Sequence, residues 1–158
     1  MKKLGLFIAA VCAVCIGFKK AAEIKKEMAF TDNLLDFIKH IRNNIEFFGI
    51  PLEDIYNKYT PPNDAFKRFV DTVRKNGWID AVDGAENCFL SKNLKKLAKD
   101  YGDGLGSTSK TEQLNHNDYY INELTRIKDD FQKAGKDKIK VYICLGFYAG
   151  ILLVILFI

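Results

Sequence analysis

The chain has 158 residues, 48% hydrophobic and 28% charged, with a formal net charge of +4. That length holds one compact domain with added elements rather than two full domains. All 20 acidic residues lie between Glu23 and Asp137, and 22 of the 24 basic ones lie between Lys19 and Lys140, with the two signs mixed throughout. This distribution excludes a disordered polyelectrolyte and argues against a nucleic-acid module.

Leu4 to Phe18 carries no charge. As a helix it spans about 22 Å, and snorkelling of Lys2, Lys3, Lys19 and Lys20 extends its reach. A cleaved signal peptide fits less well, because Lys19 and Lys20 stand where a cleavage site needs small neutral residues. Cys12 and Cys15 each follow a valine, a poor match to a lipoprotein cleavage site. The expectation is an uncleaved transmembrane helix over 4–18.

Helical periodicity governs 21–140. Leu34, Ile38, Ile41, Ile45 and Phe48 recur at three- and four-residue spacing, with Thr31 or Asp32 as the expected cap. Gly49-Ile50-Pro51 breaks the pattern, and Pro51 suits the first turn of the next helix. Leu52, Ile55, Tyr56 and Tyr59 share a second face, ended by Pro61-Pro62. Phe66, Phe69, Val70 and Val73 mark a third helix closed near Gly77. A weak fourth helix covers Ile79 to Phe89 with Gly84 inside it, and Leu94, Leu97, Ala98 and Tyr101 mark a fifth. After the flexible turn Gly102–Ser109, Ser109-Lys-Thr-Glu112 reads as a capping box. Leu114, Ile121, Leu124 and Phe131 then hold helical spacing, and no proline follows to the chain end. The pattern predicts one long last helix with Gly135 as its bend point.

The final segment, Val141 to Ile158, is again free of charge. An 18-residue helix spans about 27 Å, close to the hydrocarbon thickness of a bilayer. The expectation is a second transmembrane helix over 141–158, with Gly146 and Gly150 as a small-xxx-small pair for membrane helix packing. Lys19, Lys20, Lys25 and Lys26 follow the first segment, and Lys133, Lys136, Lys138 and Lys140 precede the second. Counted as topology determinants, these lysines place the middle domain in the cytoplasm. The predicted fold is therefore all-α. A bundle of about six helices over 21–140 is flanked by N- and C-terminal transmembrane helices, the last helix long and continuous into the membrane.

No reactive constellation emerges. Cys12-Ala-Val-Cys15 has C-x-x-C spacing but no further ligands, and Cys88 stands alone, so neither a metal site nor a disulfide framework is expected. His40 and His116 have no second histidine or cysteine at ligand spacing. No serine sits in a nucleophile elbow. Gly102–Ser107 is glycine-rich but lacks the order of a phosphate loop. Glu53-Asp54 and Asp129-Asp130 are neighbours on helices and point about 100° apart, which suits exposed faces better than a catalytic pair. Lys92, Lys95, Lys96 and Lys99 form a basic stripe, a candidate contact for an acidic partner or anionic lipid. The expectation is no enzyme, no cofactor and no metal.

Four stretches carry a family resemblance: Gly17-Phe18-Lys19 at the end of the first apolar run, Gly49-Ile50-Pro51-Leu52-Glu53-Asp54-Ile55, Leu105-Gly-Ser-Thr-Ser-Lys-Thr-Glu-Gln113, and Leu145-Gly-Phe-Tyr-Ala-Gly-Ile-Leu-Leu-Val-Ile-Leu-Phe-Ile158. In this order the chain resembles the stage III sporulation protein AB family of endospore-forming bacteria. The resemblance implies a place in a transenvelope assembly between mother cell and forespore, in the mother-cell membrane with the bundle in the cytoplasm. It implies a soluble part similar to the helical cytoplasmic domain of the type II secretion inner-membrane platform protein F. The implied partners are a cytoplasmic ATPase, stage III sporulation protein AA, and the other membrane proteins of the complex. The secretion protein carries two such domains, and a homo-oligomer of this chain would match that number. The function expected is a non-enzymatic membrane platform component. The alternative is a membrane-anchored receptor with an extracytoplasmic helical domain.

Overall fold

The computed structural model describes residues 2–89, 91–106 and 108–157; for 2–10, 13, 87, 153, 154, 156 and 157 the description is of the backbone alone. Every regular element among the described residues is helical. In chain order they are α1 (Lys2–Phe47), α2 (Leu52–Lys58), α3 (Asp64–Asn76), α4 (Trp78–Gly84), a 3-10 turn (Glu86–Cys88), α5 (Lys92–Asp103) and α6 (Lys110–Phe157). Two compact units result: Glu27–Asp129, and a helix pair made of 1–26 with 130–158.

The all-α expectation holds, with six α-helices among the described residues. The expected transmembrane helices do not: among the described residues, no helix is long and apolar enough to cross a membrane. A span needs about 20 consecutive apolar residues. In α1 the apolar side chains described begin at Val11 and stop at Lys19; in α6 they begin after Lys140 and run to Leu152, with Ile155 beyond. The remaining side chains of 4–18 and of 141–158 lie outside the described residues.

The expected cap at Thr31 or Asp32 is also corrected, because α1 runs straight through both. Thr31 Oγ1 donates to the Glu27 carbonyl at 2.9 Å, so its hydroxyl is satisfied within the helix and does not compete for a helix end. Asp32 instead pairs with Lys128 of α6 at 3.0 Å. The helix ends where Gly49, at φ 58, takes the left-handed conformation, and the Phe48 and Gly49 N–H groups both donate to Asn44 O at 3.0 Å. That early end also corrects Phe48. Read from spacing as part of the buried face, it is 73% exposed, because the chain leaves the helical register beside it.

Burial in the Glu27–Asp129 unit follows the apolar periodicity of α1 and α3. Phe30, Leu34, Phe37, Ile38 and Ile41 of α1 are buried, as are Phe66, Phe69, Val70 and Val73 of α3. Asn63 caps α3 by accepting the Phe66 N–H at 2.9 Å. The rings form a continuous stack of edge and face contacts. Phe30 meets Phe66 and Phe69 at 5.4 Å and Phe89 at 4.9 Å, and Phe37 stacks on Trp78 at 5.7 Å. Trp78 in turn meets Tyr101 at 4.8 Å. Rings this size dominate the burial energy of a small domain, and their edge-to-face geometry adds to it. Trp78 Nε1 donates to the Ala98 carbonyl at 2.7 Å, so the one indole is buried without an orphaned donor.

The weak fourth helix divides as its glycine suggests, into α4 up to Gly84 and the 3-10 turn after it. The capping box at the start of α6 forms: the Ser109 N–H donates to Glu112 Oε2 at 3.0 Å and the Glu112 N–H to Ser109 Oγ at 3.4 Å. α6 continues through Gly135 as helix, with no break there.

Candidate functional site

Each unit presents its own surface. In Glu27–Asp129 the basic stripe of α5 has Lys92 and Lys96 exposed, while Lys95 and Lys99 are drawn toward α4. Lys95 lies 2.9 Å from Glu86 and 3.4 Å from Asp83, and Lys99 lies 2.8 Å from Asp83. The Lys99 hydrogen bond holds the Asp83 carboxyl below the usual carboxylate range, against an opposing push from desolvation. Four lysines at helical spacing thus become a mixed surface with two outward cations. The sequence signal for this was present in Asp83 and Glu86, but pairing them needed the α4–α5 packing.

At the end of α1 two phenylalanines stand side by side in solvent, Phe47 at 72% and Phe48 at 73% exposure. Lys110 donates to the Glu46 carbonyl at 2.8 Å, so the start of α6 lies beside this tip. Exposed large apolar side chains grouped in this way mark contact surfaces more often than scattered ones do.

Several polar residues singled out in the sequence serve the fold. His116 stacks on Tyr101 at 5.3 Å with Nε2 2.9 Å from the Tyr101 carbonyl oxygen. His40 lies against Tyr59 with Nε2 3.3 Å from Asn44 Nδ2. Burial lowers the His40 pKa, and a backbone hydrogen bond with Ile55 opposes that shift. Glu53, Asp54, Asp129 and Asp130 are exposed. No group of three or more metal-ligating side chains occurs among the described residues. Spacing alone did not reveal two buried polar groups on α6, Gln113 and Asn117. Tyr101 donates to Asn117 Oδ1 at 2.7 Å, and Asn117 Nδ2 donates to the Gln113 carbonyl at 2.7 Å. Nor did it reveal Glu27, which is buried and accepts the Ser91 N–H at 2.8 Å ahead of α5.

The helix pair is built on glycine. A Cβ placed on Gly17 would stand 2.6 Å from the Tyr142 carbonyl oxygen and 3.2 Å from Gly146 Cα, so the backbones of α1 and α6 touch there. Gly146 and Gly150 are both buried. Gly17 is the partner of Gly146, on the other side of the contact. Around it Ile16, Phe18, Leu145, Phe147, Tyr148 and Leu152 are each more than half exposed. Lys19, Lys20, Lys25, Lys26, Lys136, Lys138 and Lys140 are all exposed, as are Cys12, Cys15 and Cys144.

Compared with known proteins, the chain matches the family model described as Stage III sporulation protein AB over residues 2–158. The chain belongs to the stage III sporulation protein AB family. No curated protein and no solved structure matches it. Membership spans nearly the whole sequence, so both units are parts of the family's common architecture and neither is an unrelated addition. A stage III sporulation protein AB acts in sporulation.

Proposed function

We propose that the chain is a non-enzymatic platform component of the sporulation complex connecting mother cell and forespore. In this reading it couples a cytoplasmic ATPase, stage III sporulation protein AA, to the membrane proteins of the same complex. It works at the mother-cell membrane around the forespore, with the Glu27–Asp129 bundle in the cytoplasm. The observation that carries the reading is the family match over 2–158. Two surface features support it: the Phe47–Phe48 tip, and the exposed apolar side chains of the helix pair.

A platform has to transmit contact without deforming. The aromatic stack of Phe30, Phe37, Phe66, Phe69 and Trp78 supplies a dense interior for that purpose. Cross-links between elements reinforce it. Arg42 of α1 pairs with Asp118 of α6, with Nε 2.5 Å from Oδ1, and Asp32 pairs with Lys128 along the same two helices. Phe47 and Phe48 then act as anchors that a partner pocket desolvates.

The test is a deletion strain complemented with the wild type or with Phe47→Ser/Phe48→Ser. Sporulation is scored by microscopy for arrest after engulfment, and the ATPase is captured by pull-down on the tagged chain. Arrest in the deletion strain is expected. Loss of ATPase capture in the double variant is expected too, with Trp78 fluorescence unchanged. Normal sporulation of the deletion strain, or full ATPase capture by the double variant, refutes the corresponding part of the reading.

A further inference from the structure

The helix pair contains a groove of about 430 Å³ lined by Ile16, Gly17 and Lys20 of α1 and by Tyr142, Leu145, Gly146 and Ala149 of α6. That volume lies within the range of small-ligand sites, about 300–1,000 Å³. Its chemistry is divided along its length. Gly17 meets Tyr142 and Gly146, and one turn further along α1 Lys20 lies near Tyr142, so α1 and α6 run antiparallel here, with Lys20 toward Tyr142 and Ile16 toward Ala149. Lys138 and Lys140 precede Tyr142 within about one turn and share the Lys19–Lys20 end. Glu23 and Asp137 are the acids at that end, and Lys20 is paired with Glu23 at 2.9 Å. The surplus there is positive. In the other direction the sequence carries no charge from Phe18 back to Leu4 or from Val141 to Ile158.

We propose that this groove holds one acyl chain of an anionic phospholipid, with the headgroup on Lys20 and its neighbouring lysines. The wall decides between occupants. Beyond Lys20 and Tyr142 at one end, Ile16, Leu145, Ala149 and two glycines offer no side-chain donor or acceptor along it. A bound peptide or a second copy of the chain in extended form would leave backbone N–H and C=O groups without partners there. A hydrocarbon chain has none to satisfy. A single occupant that is apolar along its length and negative at one end matches both halves of the groove. The Lys20–Glu23 pair does not block it, because both side chains are substantially exposed and such pairs are weakly held.

The full chain, reconstituted into phosphatidylcholine vesicles, is photolabelled with phosphatidylglycerol or phosphatidylcholine carrying a diazirine near the end of one acyl chain. The labelled peptides are mapped by mass spectrometry. Labelling centred on Ile16, Leu145 and Ala149 is expected, stronger for the phosphatidylglycerol probe. Lys20→Gln reduces that preference roughly fivefold, the contribution of one lysine near an anionic headgroup. Ala149→Phe and Leu145→Trp, both at exposed positions, fill the groove and suppress labelling, while circular dichroism verifies that helix content is kept. Equal labelling by both probes, labelling spread evenly along α1 and α6, cross-links joining two copies through the groove, or insensitivity to both filling variants overturns the proposal.

Discussion

Arg74 of α3 donates twice to the Tyr56 carbonyl oxygen, from Nε at 3.0 Å and Nη2 at 2.8 Å, and Nη2 also reaches the Tyr59 carbonyl at 2.8 Å. One guanidinium thus closes the C-terminal end of α2, where carbonyls lack partners within the helix. Asp71 holds the fork in place at 2.9 Å. Arg74→Ala is expected to lower stability by about 1.5–3 kcal/mol, the scale of hydrogen bonds from a charged donor. Arg74→Lys recovers less than half of that, because an ammonium lacks the planar fork. Urea unfolding followed by Trp78 fluorescence measures both.

Gly102 lies under the Trp78 indole. A Cβ there would collide with Cδ1 and stand 2.8 Å from Cγ. The ring has no room to retreat, since Phe37 stacks on it at 5.7 Å and Nε1 is tied to Ala98. Gly102→Ala therefore costs about 1–3 kcal/mol as overpacking. It also shifts the emission maximum of Trp78, the protein's single tryptophan. An unshifted spectrum and unchanged stability contradict this packing.

Tyr101 and Asn117 form a buried polar pair. Tyr101→Phe leaves Asn117 Oδ1 without its donor and is expected to cost about 1–3 kcal/mol at neutral pH. Burial raises the Tyr101 pKa well above the usual 10.0. A raised folded pKa means that this stability is complete below the unfolded value and is lost as pH climbs past it. The gap between wild type and Tyr101→Phe therefore narrows above pH 10.0, which paired urea titrations detect.

His40 works in the opposite direction. Its folded pKa is lowered from 6.5, so the unfolded chain binds the proton first. Its contribution is complete above pH 6.5 and is lost as pH falls toward the lowered value. His40→Gln lacks this loss, so its stability profile is flatter than that of wild type on the acid side of 6.5. Parallel profiles for the two proteins count against the partly buried neutral imidazole.

The amphipathic faces are legible in the sequence because spacing encodes them. Phe66, Phe69, Val70 and Val73, or Leu94, Ala98 and Tyr101, fall on one side of a helix wherever that helix is placed. Phe48 escapes the pattern for a related reason. Spacing carries the apolar face to Phe48, next to the break at Gly49, and only the backbone conformation shows that α1 ends one residue earlier, at Phe47. Asn117 and Glu27 are invisible as interior residues in the sequence, since their burial depends on Tyr101 and Ser91 arriving from other parts of the fold to satisfy them.

The order of residues by itself determined the all-helical class, the helix breaks at Gly49 and Gly77, the helix start at Ser109, and membership of a sporulation family, because these depend on local spacing, caps and whole-chain pattern. Tertiary structure decided what the charges and glycines do. Lys95 and Lys99 became partners of Asp83 in α4, Arg74 became the end-cap of α2, and Gly17 became the contact point for Gly146. Each of those outcomes needs two separate segments to meet within a few ångströms. Neither segment carries that meeting in its own composition.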